Sequence, residues 1–396
     1  MKKTMTAALA AFSLVGLAAC SNGGGQSIAD AAGIKVCAAV SGLHGGAQAD
    51  PVARSLAEAA ARAGASFEAA EGADSVSSLA AGDCSLVVAT DSTLAATVSD
   101  AARSTGDKRF ALVGSAFTDS KGNPEKPSNG TVVNVQASQG SYLAGYAAAG
   151  MTTTGTVAVV GGARDLVTLS QMDAFVQGVD AYNLATGTSI QVLGWSPVMQ
   201  EGAFASDAEG VRGFTETFIA QGADIVMPVA DAANSGAAQA IAAQDNPALR
   251  LVWTGLDKSD LQGLSREDAQ SGEAGQPPMS GQSGAQAQRV DTSSFADAFS
   301  SIQLDDEARA AIGAPVLTAV VVDYSGAFDA LIASAAGGAT APMQYVSLIS
   351  GGVILTGFGS YTPMLSTELK LGLSDMAGQI ETGGLAVTTQ YDVVGP

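Results

Sequence analysis

The chain has 396 residues and a hydrophobic fraction of 47%, enough for one large or two medium-sized domains. Its 38 acidic and 18 basic residues leave a formal charge of −20, which argues against nucleic acid or an anionic membrane surface as a partner. The single histidine, His44, excludes a multi-histidine metal site, and a Ser/His/Asp hydrolase would have to be built on it.

At the N-terminus, Met1-Lys2-Lys3 is a short positive region and Thr6–Leu17 an apolar one too short for a membrane span. Leu17-Ala18-Ala19-Cys20 follows and matches the bacterial lipobox, in which Cys20 is acylated and becomes the first residue of the mature chain. An ordinary secretory signal with a chance cysteine is the alternative. On the lipobox reading, residues 1–19 are a signal peptide and 20–33 a lipid-anchored, flexible tether.

The first strand–helix series begins with a strand at Ile34–Val40 and a Gly-rich loop, Ser41–Ala49, that holds His44. Asp50-Pro51 reads as an N-cap with proline at the first helical position, and the helix runs to about Ala63. A weak strand (Ser66–Ala69), a short helix (Ser75–Ala81) and a strand at Cys84–Ala89 follow. Thr90-Asp91-Ser92 caps the next helix, Arg109–Gly114 is a fourth strand, and Ser115–Gly130 is a polar loop. Cys37 and Cys84 fall on the first and third strands, which are neighbours in a doubly wound sheet. In an exported chain they are expected to pair, the alternative being two buried free thiols.

Thr131–Asn183 shows the repeating unit most clearly. A β-branched run to Val135 leads into a helix with Tyr142, Leu143, Tyr146 and Ala149 at helical spacing. Thr156–Val160 is apolar after Thr156 without alternation, as in a strand covered on both faces. Gly161-Gly162 closes it, and a helix from about Leu166 to Tyr182 carries Leu169, Met172, Phe175, Val176 and Val179 on one stripe. The second series continues with a strand at Ser189–Trp195 and a loop holding Glu201, Phe204, Ser206 and Asp207. A helix (Asp207–Gln221), a buried strand (Asp224–Val229), a helix (Asp231–Gln244) and a strand (Leu249–Thr254) complete it.

Composition then changes. Residues 258–314 read as a polar insertion whose stretch Ser265–Ser294 lacks apolar anchors and is expected to be exposed and mobile. Pro315–Val322 is a strand and Tyr324–Ala336 a helix. Tyr345–Phe358 is strand-like with glycine breaks, Leu365–Ile380 is a helix and Leu385–Thr388 a short strand.

This order defines an α/β chain of two doubly wound, Rossmann-like lobes. The expected N-lobe is 34–136, completed by about 315–340, and the C-lobe is 137–257, completed by about 341–396. Ligands of open parallel sheets sit outside the carboxyl ends of the strands, so two lobes facing each other there form a cleft. The candidate ligand residues are His44, Thr90, Asp91, Phe117, Phe204, Asp207, Asp231, Asn234 and Asp257. Each could equally be a cap or loop residue; Phe204 could be a lid packed on its own lobe or a ring waiting for a ligand. No phosphate-binding loop, dinucleotide fingerprint, nucleophile elbow or C-x-x-C occurs, which favours binding over catalysis and points to no cofactor.

GSYLAGYAAAGMTTTGTVAVVGG (140–162), FVQGVDAYN (175–183), FIAQGADIVMPVA (218–230), TGLDKSD (254–260) and PVLTAVVVD (315–323) occur in this order. In order and spacing they resemble segments of the basic membrane protein family, the nucleoside-binding lipoproteins of ABC importers. The resemblance spans most of the mature chain. It implies a type I periplasmic-binding-protein fold with a three-segment hinge and a monomer. It also implies a lipid anchor on the extracytoplasmic face of the membrane, a small nucleoside-like ligand and an ABC permease as partner. Phe204 with Asp207, and Asp257, match the family's ligand loops, with Phe117 a second stacking ring by position. The first loop departs from the family: Gly42–Gln48 carries neither the carboxylate nor the aromatic residue found there. The alternative function is a sensing or scaffold lipoprotein of the same fold.

Overall fold

The computed structural model describes residues 31–44, 46–72, 74–257 and 312–393. The expected signal peptide, Cys20, the expected tether to residue 30 and the expected insertion from 258 to 311 lie outside the described residues.

The first lobe is built on a wholly parallel sheet. Its strands are β1 (Lys35–Val40), β2 (Ser66–Glu71), β3 (Leu86–Ala89), β4 (Arg109–Val113), β5 (Gly130–Val135) and, from far downstream, β13 (Gln344–Val346), in the order β13-β5-β4-β3-β1-β2. Strands β1 and β3 are almost wholly apolar because helices cover both faces, as the absence of alternation requires. Helix α1 (Pro51–Arg62) starts where the Asp50 carboxylate accepts from the Ala53 N–H, with proline in the first turn. Helices α2 (Ser75–Ala81) and α3 (Ala95–Ser104) cover the opposite face. Cys37 on β1 and Cys84, just before β3, form a disulfide across 47 residues of sequence, with Cα atoms 6.0 Å apart.

The second lobe repeats the plan. Its sheet has the order β14-β12-β11-β10-β6-β7, formed by β6 (Thr156–Gly161), β7 (Gln191–Leu193), β10 (Ile225–Val229), β11 (Arg250–Asp257), β12 (Val316–Val322) and β14 (Val353–Leu355). Only β14 runs antiparallel. A hairpin of β8 (Trp195–Ser196) and β9 (Glu201–Gly202) stands apart. Helix α4 (Ala137–Met151) is buried along nearly its whole length and packs on α5 (Leu166–Thr186). Glycines permit this approach: a Cβ on Gly145 would stand 2.1 Å from the Phe175 carbonyl oxygen, and one on Gly178 would stand 2.0 Å from that of Tyr142. Helices α6 (Ala208–Ala220) and α7 (Asn234–Ala242) cover the other face of the sheet.

The tail alternates between the lobes instead of serving the first over 315–340 and the second from 341 onward. Val316–Val322 pairs with β11 and so completes the second sheet rather than the first. Helix α8 (Ser325–Ala336) packs on α1, where the Arg62 guanidinium lies 3.0 Å from the Asp329 carboxylate, and β13 then joins β5. The chain crosses back for β14, and α9 (Thr367–Glu381) packs on α4. Among the described residues, three crossings therefore link the lobes: after Val135, after Val322 and after Val346. β12 reads VLTAVVV and is buried almost throughout, which suits the inside of either doubly covered sheet; its pairing with β11 places it in the second. Two shorter differences also have local causes. Gly194, at φ +89°, ends the strand expected to reach Trp195, and Leu385–Thr388 is irregular chain after the α9 cap.

Candidate functional site

The carboxyl ends of both sheets converge on one enclosed cleft. From the first lobe come the loop after β1, the residues after β3 and Val113 at the end of β4. The second lobe supplies the start of α5, the turn after β10, Thr254 and Gly255 of β11 and Val322 of β12. The lobes touch here: a Cβ on Gly114 would lie 2.6 Å from a Val167 methyl group across the cleft.

Four aspartates line this space, and local chain chemistry places each of them. Asp50 is fully buried; one oxygen caps α1 and the other accepts from the Thr90 hydroxyl at 3.0 Å. Asp91 follows β3, caps the short helical turn at Ser92–Leu94 and accepts from Ser41 Oγ at 2.5 Å. Asp165 caps α5 through the Thr168 N–H (2.9 Å) and hydroxyl (3.0 Å). Asp231 follows β10 at φ +48°, an unusual conformation for a non-glycine residue. Gly255 lies against it, and a Cβ there would come within 3.2 Å of Asp231 Oδ1.

His44 reaches into the middle of this set from the first lobe. Its Nδ1 is 2.5 Å from Asp231 Oδ2, and its Nε2 is 3.8 Å from Asp165 Oδ2. Burial pulls the imidazole pKa down. The hydrogen bond and charge of Asp231, with the charges of Asp165 and Asp50, outweigh burial and raise the pKa from 6.5 to about 9. At neutral pH the ring is therefore an imidazolium, and Nδ1–H donates to Asp231. Burial pushes the Asp50 and Asp165 pKa values up, opposed at Asp50 by the Ala53 N–H and the charge of His44, and at Asp165 by His44 and Thr168.

Of the nine ligand candidates, His44, Thr90, Asp91 and Asp231 line the cleft. Asn234 is buried behind it; its side chain accepts from the Ala230 N–H and donates to the Thr254 carbonyl, bracing the chain on both sides of the site. Asp257 closes β11, and its side chain lies outside the described residues. Asp207 caps α6 through the Gly210 N–H at 2.8 Å and does not line the cleft.

The two phenylalanines are placed elsewhere. Phe117 is 1% exposed in the core of the first lobe and borders a different cavity, formed by the 125–134 segment and residues 340–345. Phe204 packs on its own lobe. Its backbone bridges Gly161, its ring meets Trp195 edge-on at 6.0 Å, and the Arg164 guanidinium covers it at 4.7 Å. Both rings have packing partners of their own and do not line the cleft.

Sequence reasoning missed Asp165, Gln171 and Tyr324 as cleft residues and read Asp50 only as a cap. The available signal was positional. Asp50 and Asp165 are N-caps of helices that follow strand carboxyl ends, where a capping carboxylate also faces any interlobe ligand. Among the described residues, no group of His, Cys, Asp and Glu has the arrangement of a metal site, and no helix is long and apolar enough to cross a membrane.

Two lobes of this topology around a strand-end cleft define the type I periplasmic-binding-protein fold of ABC-transporter solute-binding proteins. A solute-binding protein from Aeropyrum pernix K1 matches with a TM-score of 0.62 at 16% identity, over 90% of this chain and 94% of that one. One from Conexibacter woesei DSM 14684 matches with a TM-score of 0.55 at 16% identity, over 91% and 99%. A transcriptional activator of the comK gene from Bacillus halodurans matches with a TM-score of 0.57 at 15% identity, over 89% and 99%. No curated protein sequence matches significantly. The model of the family described as ABC transporter substrate-binding protein, PnrA-like, matches residues 55–262, more than half of the sequence, and the chain belongs to this family. Its role is extracytoplasmic substrate binding for a transporter, which is not an enzymatic one.

Proposed function

We propose that the protein captures a small polar molecule in the interlobe cleft and passes it to an ABC permease. In this reading it is a monomer held on the extracytoplasmic face of the membrane by a lipid on Cys20. The observation that carries the proposal is the convergence of strand-end carboxylates from both lobes, Asp50 and Asp91 facing Asp165 and Asp231, on one enclosed space. Such a set accepts hydrogen bonds from ligand hydroxyl or amino groups, and contact with both lobes couples binding to their relative position. The nucleoside suggested by the family resemblance would find hydroxyl acceptors here. Neither Phe117 nor Phe204 lines the cleft to stack on a base; the aromatic residue that lines it is Tyr324.

The test is a thermal-shift screen of the Cys20→Ser chain against nucleosides, sugars, amino acids and small amines, followed by calorimetry of whatever binds. A ligand with one-to-one stoichiometry supports the proposal. No binding from any of these classes contradicts it.

A further inference from the structure

The His44 side chain crosses from the first lobe to the second and ends where a ligand would have to sit. It is 15% exposed, and its two partners belong to different elements of the opposite lobe, Asp231 after β10 and Asp165 at the start of α5. The loop carrying it is turned by Gly42 (φ +91°) and Gly46 (φ +86°) and tied down where the Ala47 N–H donates to Glu71. The charged groups facing the ring are all carboxylates, Asp50 at α1, Asp91 after β3, Asp165 and Asp231, and Glu71 at the base of the loop is another.

Resting on the reading of the cleft as a ligand site, we infer that the His44 side chain is a built-in occupant that latches the unliganded lobes together, and that the ligand displacing it brings a cationic nitrogen to the same carboxylates. A neutral ligand that pushed the ring out would leave Asp165, which is 4% exposed at its side chain, and Asp50, which is wholly buried, facing Asp231 without a counter-charge. Buried carboxylates with no cation among them are costly. An ammonium, amidinium or guanidinium group restores the balance that the imidazolium provides.

The latch has a pH window. An imidazole whose pKa is raised from the ordinary 6.5 to about 9 in this closed arrangement favours closure most at low pH, and the effect disappears as pH passes 9.

The test measures the interlobe distance in the ligand-free protein, by electron spin resonance between labels on the exposed positions Ser104 and Gly213, together with small-angle scattering. The wild-type background should be closed at neutral pH and should open as pH rises through about 9. His44→Gly should be open at neutral pH. At about pH 6, where free imidazole is charged, tens of millimolar imidazole or methylguanidinium should close it again and acetamide should not. His44→Gln, which keeps most of the bulk and cannot become charged, is the control against loss of folding and should also be open. Variants that keep the wild-type distance overturn the latch. Variants that open but are reclosed by neither cation, or equally by acetamide, overturn the cationic occupant. The wild-type ligand screen is read separately: its failure would sink the transport role and leave these distances unexplained by it.

Discussion

His44 sets the strongest prediction at the scale of single residues. Its pKa is raised from 6.5 to about 9, so its protonation stabilises the folded chain below pH 6.5, and the contribution is lost as pH rises through 9. His44→Ala should therefore lower the melting temperature at neutral pH, by the equivalent of up to about 3 kcal/mol, and have little effect above pH 10. A deficit that stays constant across this range would mean that packing rather than charge is lost. Gly255 tests the other side of the pair. Gly255→Ala forces a side chain into a φ of +71° and brings its Cβ to 3.2 Å from Asp231 Oδ1. It should weaken the His44–Asp231 contact, visible as an imidazole pKa falling back toward 6.5 in NMR titration. These residues also mark the limit of what could be read from sequence. His44 and Asp231 were legible because they follow strands. Asp165 was hidden because a helix cap looks the same whether or not it faces a cleft. Phe204 and Phe117 misled because a lone ring in a polar loop does not say which neighbours it meets.

Most helices and strands could be read from runs of apolar residues, because strands buried on both faces leave little ambiguity in an alternating β/α chain. The partner of a returning strand cannot be read that way. VLTAVVV would fit inside either sheet, and only its hydrogen-bonded neighbour, β11, decides. The α4–α5 contact gives a prediction of its own. By intrinsic helix propensity alone, Gly178→Ala should stabilise α5 by about 1 kcal/mol. Its new Cβ would stand 2.0 Å from the Tyr142 carbonyl oxygen, a backbone atom that moves only if the helices part. Overpacking of this kind costs roughly 1–3 kcal/mol or more, so the variant should melt lower than wild type in calorimetry. An unchanged or higher melting temperature would show that the contact is looser than described. At the β1–β3 junction, the disulfide closes a separation of 47 residues. Replacing both cysteines by serine should cost roughly 4 kcal/mol on the chain-entropy model, measured by denaturant unfolding with and without reductant.

At the scale of the whole molecule, three crossings among the described residues join two similar lobes, and the cleft between them is where both sheets direct their strand-end polar groups. Two aspartates from each lobe face it, and one histidine bridges the lobes. The fold and family were legible from the order of the strand–helix units and the segments between 140 and 323, since topology follows from that order. The ligand was not, because it depends on which side chains from distant loops meet across the cleft. The central claim is that the ligand is held by the cleft carboxylates and not by the ring at Phe204. The most direct test is calorimetry of a ligand found in the screen against wild type, Asp231→Asn and Phe204→Ala. Loss of a charged hydrogen-bond partner costs about 1.5–3 kcal/mol, so Asp231→Asn should bind at least about tenfold more weakly, while Phe204→Ala should stay within about twofold. Weakened binding in Phe204→Ala with unchanged affinity in Asp231→Asn would contradict the account and move the site to the surroundings of Phe204 in the second lobe.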